Sequence, residues 1–159
     1  MKNRFFYYAV LLVLLLPALA QAQQLTVQTV SGKTVLTRAD LEALPHVKVT
    51  TANPGTVTLF EGITIEAVLE KAGVQFGETL RGKRLASCLL VEAADGYRAV
   101  IALPEIDAAF TDKQIVLAFS KDGKPLDDKE GPYRIVIPDE KRMARWVRQV
   151  TTLKIVDVP

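Results

Sequence analysis

Cysteine and histidine are nearly missing from this chain: Cys88 and His46 are the only ones among its 159 residues. A lone cysteine cannot form an internal disulfide framework or a cysteine-rich metal cluster, and a lone histidine cannot build a multi-histidine centre. No disulfide-linked partner is implied. A serine or cysteine hydrolase needs a base poised beside its nucleophile, yet His46 simply follows Pro45 in a short linker and no G-x-S-x-G elbow occurs. A glycine-rich phosphate loop is absent as well. Charge of one sign is also lacking in excess. The 20 Lys and Arg face 18 Asp and Glu, and Lys2 and Arg4 stand at the extreme N-terminus, so generic nucleic-acid binding has no electrostatic support.

One long hydrophobic run is present, Phe5 to Leu16, preceded by Lys2 and Arg4 and followed by Pro17 and Ala20-Gln21-Ala22. A charged start, a short apolar core and an A-x-A site make a secretory signal peptide over residues 1–22. The run is about 12 residues, short of the roughly 20 that span a bilayer. With no cysteine directly after it, lipid attachment has no acceptor. The expectation is a soluble periplasmic or secreted protein cleaved near Ala22, whose residues 23–159 form a single domain of ordinary size.

Along that domain, Leu25, Val27 and Thr29 alternate as in a strand, and Ser31-Gly32-Lys33 is a turn signal. Thr37 to Asp40 reads as a capping box opening a short helix from Arg38 to Ala43, closed by Pro45. Val47–Thr51 is extended and breaks at Asn53-Pro54-Gly55. Thr64 caps a helix over Ile65–Ala72, with Ile65, Val68 and Leu69 on one face and Gly73 as its stop. A strand over Leu85–Ala93 turns at Asp95-Gly96 into a second over Tyr97–Leu103. Pro104 then suits the start of a short helix through Ala109. Strands follow at Ile115–Phe119, Arg134–Ile137 and Thr151–Val156, with a turn at Asp122-Gly123. Short strands interrupted by a few short helices define an α+β class with a mixed-sheet, partly barrel-like core.

The order of motifs is more specific than any one of them. Leu41-Glu42-Ala43-Leu44-Pro45 precedes Phe60-Glu61-Gly62-Ile63-Thr64-Ile65, which leads to Ala72-Gly73-Val74 and then Asp95-Gly96-Tyr97. Leu117-Ala118 comes before Gly123-Lys124-Pro125-Leu126, and Gly131-Pro132-Tyr133-Arg134-Ile135-Val136-Ile137-Pro138 before Arg145-Trp146. In this order the chain resembles the sulfite-oxidase-like, molybdopterin-binding domain family over almost its whole mature length. The resemblance implies a pterin pocket where the loop after Pro138, the Arg-Trp pair and the Asp-Gly-Tyr turn meet. It also exposes a departure. The family's molybdenum enzymes hold the metal through a cysteine thiolate between the L-P helix and the aromatic-Gly turn. Here His46 to Gly55 contains none, and Glu130 replaces a common histidine.

A free reduced pterin offers a planar ring, an amino edge of donors and acceptors at O4 and N5. Trp146, Tyr97 and Tyr133 can supply faces, and Arg98, Arg134 and Arg145 planar donors. Asp95, Glu105 and Asp139 are available acceptors. The pterin-binding candidates are therefore Asp95, Tyr97, Arg98, Tyr133, Arg134, Arg145 and Trp146, with no catalytic residue and no metal ligand. The resemblance implies a non-catalytic, secreted pterin-binding module that senses its ligand for a partner, such as the periplasmic domain of a membrane protein. Two alternatives stand beside it. One is a molybdopterin-dependent oxidoreductase, or a subunit of one, with Cys88 as an unconventional metal ligand. The other is a plain interaction domain, in which Trp146 plugs the core and the arginines are a solvated face.

Overall fold

The structure is a computed structural model describing residues 24–53 and 56–157. The expected leader, residues 1–22, and the Pro54-Gly55 break lie outside them. Leu25–Thr29 (β1) turns its alternate residues Leu25 and Val27 into the core and folds back through Gly32–Leu36 (β2). Thr37 and Asp40 form the expected reciprocal cap on the helix Arg38–Glu42 (α1): Asp40 N–H donates to Thr37 Oγ1, and Thr37 N–H to the Asp40 carboxylate. The Thr37 donors hold the Asp40 carboxyl below its usual range.

His46–Asn53 (β3) and Thr56–Thr64 (β4) pair antiparallel along their whole length. The sequence reading identifies neither β2 nor β4 as a strand. In β4 the apolar Val57 and Leu59 are exposed while Thr58 and Phe60 are buried, so apolar residues stand on both faces and the period-2 signal is blurred. Thr64 then caps the helix Ile65–Lys71 (α2), its hydroxyl accepting from Ala67 N–H at 3.3 Å. Fully burying Ile65, Val68 and Leu69 contributes about 2 kcal/mol each.

Cys88–Ala93 (β5) starts later than Leu85, because Gly82–Ala86 is a 3-10 turn. The Arg84 guanidinium holds that turn by donating to the Thr79 and Gln75 carbonyls at 3.0 Å each. Arg98–Ala102 (β6) pairs with β5. The helix expected from Pro104 to Ala109 is only a 3-10 turn, Leu103–Glu105. Its continuation is stopped by the buried Asp107 carboxylate, which accepts from Gly77 N–H at 2.7 Å and Ala109 N–H at 2.8 Å. Val116–Lys121 (β7) and Lys124–Pro125 (β8) are joined by Asp122 and Gly123, both at positive φ, as a two-residue hairpin turn requires. Arg134–Val136 (β9) and Val150–Val156 (β10) complete the chain.

The strands form two sheets. One runs β2-β1-β10-β5-β6 and is mixed, because β1 and β10 are parallel. The other runs β3-β4-β7, with β8 and β9 both on the free side of β7. Their inner faces share one apolar core with α2. No described strand is hydrogen-bonded into both sheets, so the partly barrel-like closure is not found. At the crossing of β4 and β7 the register shifts at Glu61/Gly62. A Cβ on Gly62 would lie 2.3 Å from Leu117 O and 2.6 Å from Ala118 Cα. That close approach is the physical reason for glycine in the Phe60-Glu61-Gly62 motif.

Candidate functional site

Backbone hydrogen bonds seat Trp146 beside β9. Ile135 N–H donates to Val147 O at 2.8 Å and Val150 N–H to Tyr133 O at 2.9 Å, so the segment after the 3-10 turn Met143–Arg145 runs against that strand. Gln149 ties the corner together from a left-handed conformation (φ 50°), which costs about 1 kcal/mol or more for a residue with a side chain. Its N–H reaches Glu130 O at 2.9 Å, its Nε2 reaches Asp128 O at 2.6 Å, and its carbonyl accepts from Ala94 N–H at 3.0 Å. The end of β5 is thereby joined to the loop before β9.

Arg134 and Trp146 are 8% and 5% exposed. The Arg134 guanidinium carbon lies 5.5 Å from the Trp146 ring and 5.6 Å from that of Phe60, and the two rings meet edge to face at 6.0 Å. Arg134 Nη1 also donates to the Glu130 carboxylate. Neither Arg134 Nε nor Trp146 Nε1 has a hydrogen-bond partner among the described residues; Thr51 Oγ1 and Glu140 Oε2 are likewise buried without one. Arg134 and Trp146 both border a cleft of about 770 Å³, together with Asp95, Tyr97, Asp128, Lys129, Arg148 and Gln149.

Four of the seven sequence candidates thus face one space: Asp95, Tyr97, Arg134 and Trp146. Tyr97 spans its rim, donating its hydroxyl to Ala144 O at 2.7 Å, and Asp95 Oδ1 accepts from Tyr97 N–H at 2.9 Å. The other three are elsewhere. Arg98 is exposed and pairs with Glu92 at 3.1 Å. Tyr133 is buried against a separate cavity, and burial pushes its hydroxyl pKa up. Arg145 is spent on carboxylates: it donates to Glu140 and, at 3.2 Å through each Nη, to Glu105. Its own pKa is raised, chiefly by the hydrogen bond to Glu105. Burial alone would raise Glu105, but the Arg145 hydrogen bond, the Ala102 N–H and the nearby cations outweigh it and hold the carboxyl low. Of the three proposed acceptors, Glu105 is therefore already engaged.

Several residues of this corner are not singled out as site residues by the sequence. Phe60 and Glu130, which contact Arg134, stand there only as the aromatic of a turn motif and as a replaced histidine. Asp128, Lys129, Arg148 and Gln149 carry no motif, and their convergence depends on the left-handed Gln149.

The donor set can be tested against the cofactor that the fold suggests. The cleft is lined by an indole, a tyrosine ring and the Asp95 and Asp128 side chains, and the unpaired N–H groups of Arg134 and Trp146 are buried on residues that border it, a set of groups suited to a flat heterocycle with acceptors on one edge and donors on the other. A molybdenum centre does not fit. β3 has no thiolate, and Cys88 stands at the end of β5 opposite Ala93, the β5 residue that reaches the cleft, roughly 16 Å along the strand. Leu89, Val91 and Ala93 face the core, so Cys88 projects from the other side of the sheet. No group of three or more His, Cys, Asp or Glu among the described residues could hold a metal.

The oxidoreductase molybdopterin binding domain profile matches residues 15–159. The chain belongs to that family. Its fold is also similar to the sulfane dehydrogenase SoxCD of Paracoccus pantotrophus, at 21% identity and a TM-score of 0.67 over 86% of this chain. The match spans only 38% of the SoxCD chain. No curated protein matches. Membership in the family suggests a pterin-related cofactor, and the fold is of the sulfite-oxidase type.

Proposed function

We propose that this domain binds a free reduced pterin in the Arg134–Trp146 cleft, without catalysing a reaction, and reports occupancy to a partner outside the cytoplasm. The observation that carries this reading is the pair of buried N–H donors without partners, Trp146 Nε1 and Arg134 Nε, on residues bordering the cleft. A buried donor left unmade costs about 1–3 kcal/mol, and a ring acceptor such as O4 or N5 would recover it. Asp95 or Asp128 would take the amino edge, and the Tyr97 or Trp146 ring a π-face. The absence of a thiolate at the cleft supports binding rather than molybdenum redox chemistry. Export rests on the leader-like residues 1–22. A reporting role is supported by the large apolar side chains exposed at the rim, Tyr97 and Met143, with Val100 nearby on β6.

Titration with tetrahydropterin tests the reading directly. Since Trp146 is the sole tryptophan, stacking should quench the entire indole emission, with a matching calorimetric isotherm of one site per chain. No heat and no quenching at millimolar ligand would overturn it.

A further inference from the structure

Tyr133 and Arg134 are consecutive, and the extended chain sends them to opposite sides. Arg134 borders the cleft, while Tyr133 borders a second cavity of about 290 Å³ that shares no residue with it. Leu41, Ile63, Phe119 and Leu126 give this cavity an apolar wall. Its volume suits one ring or a short aliphatic chain.

The charges on its lining are Arg38, Glu42 and Glu61. Arg38 Nε is bonded to Glu42 at 2.6 Å, so that pair is internally balanced. Glu61 makes only long ion pairs, with His46 Nδ1 at 3.6 Å and the largely exposed Lys48 Nζ at 3.8 Å, so its oxygens remain free to accept a hydrogen bond. Lys48 and His46 are not on the lining, so the cavity itself presents one carboxylate without a hydrogen-bonded partner, together with Phe119 and Tyr133. Aromatic faces attract a cation through their quadrupole, and a carboxylate at the mouth adds a directional acceptor. We infer that this cavity is a second binding site, for a small organic cation with an apolar body, an aryl- or alkylammonium. Its ring or chain enters against Leu41, Ile63 and Leu126, and its ammonium is held by Glu61.

The site is independent of any ligand in the Arg134–Trp146 cleft, and so is its test. Phenethylammonium, the neutral 2-phenylethanol and the anionic 3-phenylpropionate are titrated into the protein by heteronuclear NMR. Saturable shifts at Ile63, Phe119, Ser120 and Leu126 are expected for the amine, with the alcohol about tenfold weaker and the acid not bound. Glu61→Gln, a partly exposed change that keeps the fold, should bring the amine down to the affinity of the alcohol, about tenfold. Prior saturation with tetrahydropterin should leave the amine affinity unchanged. Equal binding of amine and alcohol, undiminished binding by Glu61→Gln, or shifts confined to residues outside the cavity would each overturn the inference.

Discussion

Replacing Arg134 by methionine tests how the corner is held together. The change keeps an unbranched side chain of similar length between Phe60 and Trp146 but removes the charge, leaving Glu130, whose side chain is 17% exposed, without its main partner. Truncating one member of a buried ion pair costs about 3–5 kcal/mol, mostly as the penalty on the abandoned charge. Two facts pull the figure to the low end: Lys121 remains 3.7 Å from Glu130, and methionine recovers part of the ring packing. Lost cation–π attraction adds about 1 kcal/mol. The expected loss is thus about 4 kcal/mol, which at a urea slope of about 2 kcal/mol/M lowers the unfolding midpoint by about 2 M. Trp146 fluorescence follows the transition. Because the cost lies in Glu130, the double variant Arg134→Met with Glu130→Gln should regain roughly half of it. A midpoint shift of the single variant below about 0.3 M, or strictly additive effects of the two changes, would refute the account.

Gly62→Ala should cost about 2–3 kcal/mol by urea denaturation, since the new methyl meets backbone atoms of Leu117 and Ala118, which cannot turn aside, as well as the Val116 side chain. Gly62 does not have a positive φ, so the cost is steric; a neutral substitution would mean that β4 and β7 are spaced more widely. For Glu105, a carboxyl held low in the folded state, stability is present above its unfolded pKa and lost as pH falls through the folded one. The midpoint gap between the wild type and Glu105→Gln should therefore be full at neutral pH and close on acidification. A gap that persists in acid would show that Arg145 does not ionically clamp Glu105.

Much of this fold was legible because local chemistry and tertiary structure agree. The Thr37 and Thr64 caps, the stop at Gly73 and the turns at Asp95-Gly96 and Asp122-Gly123 each satisfy a short-range requirement, and the structure keeps them all. The misses arise where distant atoms decide. Asp107 ends the turn after Pro104 by accepting from Gly77, 30 residues earlier. Arg145 is claimed by Glu105, 40 residues earlier, and no spacing rule brings that carboxylate to it. Tyr133 is a different case. It precedes β9, whose first residue is Arg134, and the structure turns it to a separate cavity, so the two neighbours do not serve one pocket.

The basic, aromatic corner thus owes its chemistry to neutralisation rather than to charge. Glu130 and Glu140 accept from Arg134 and Arg145, so a strongly anionic ligand would compete with carboxylates already in place. Besides Lys129 and Arg148, whose charges stand near Asp95 and Asp128 on the cleft lining, the buried donors without a partner are an indole N–H and one guanidinium Nε–H, on side chains that stack on each other. Donors fixed in this way are preorganised, and a neutral acceptor on a flat ring loses little in meeting them. Carboxylate pairing and ring stacking thus work together: the first offsets the charges of Arg134 and Arg145, and the second holds the Arg134 and Trp146 side chains in place. Under the proposed function, that combination would favour shape and hydrogen-bonding edges over net charge, as an uncharged heterocycle requires.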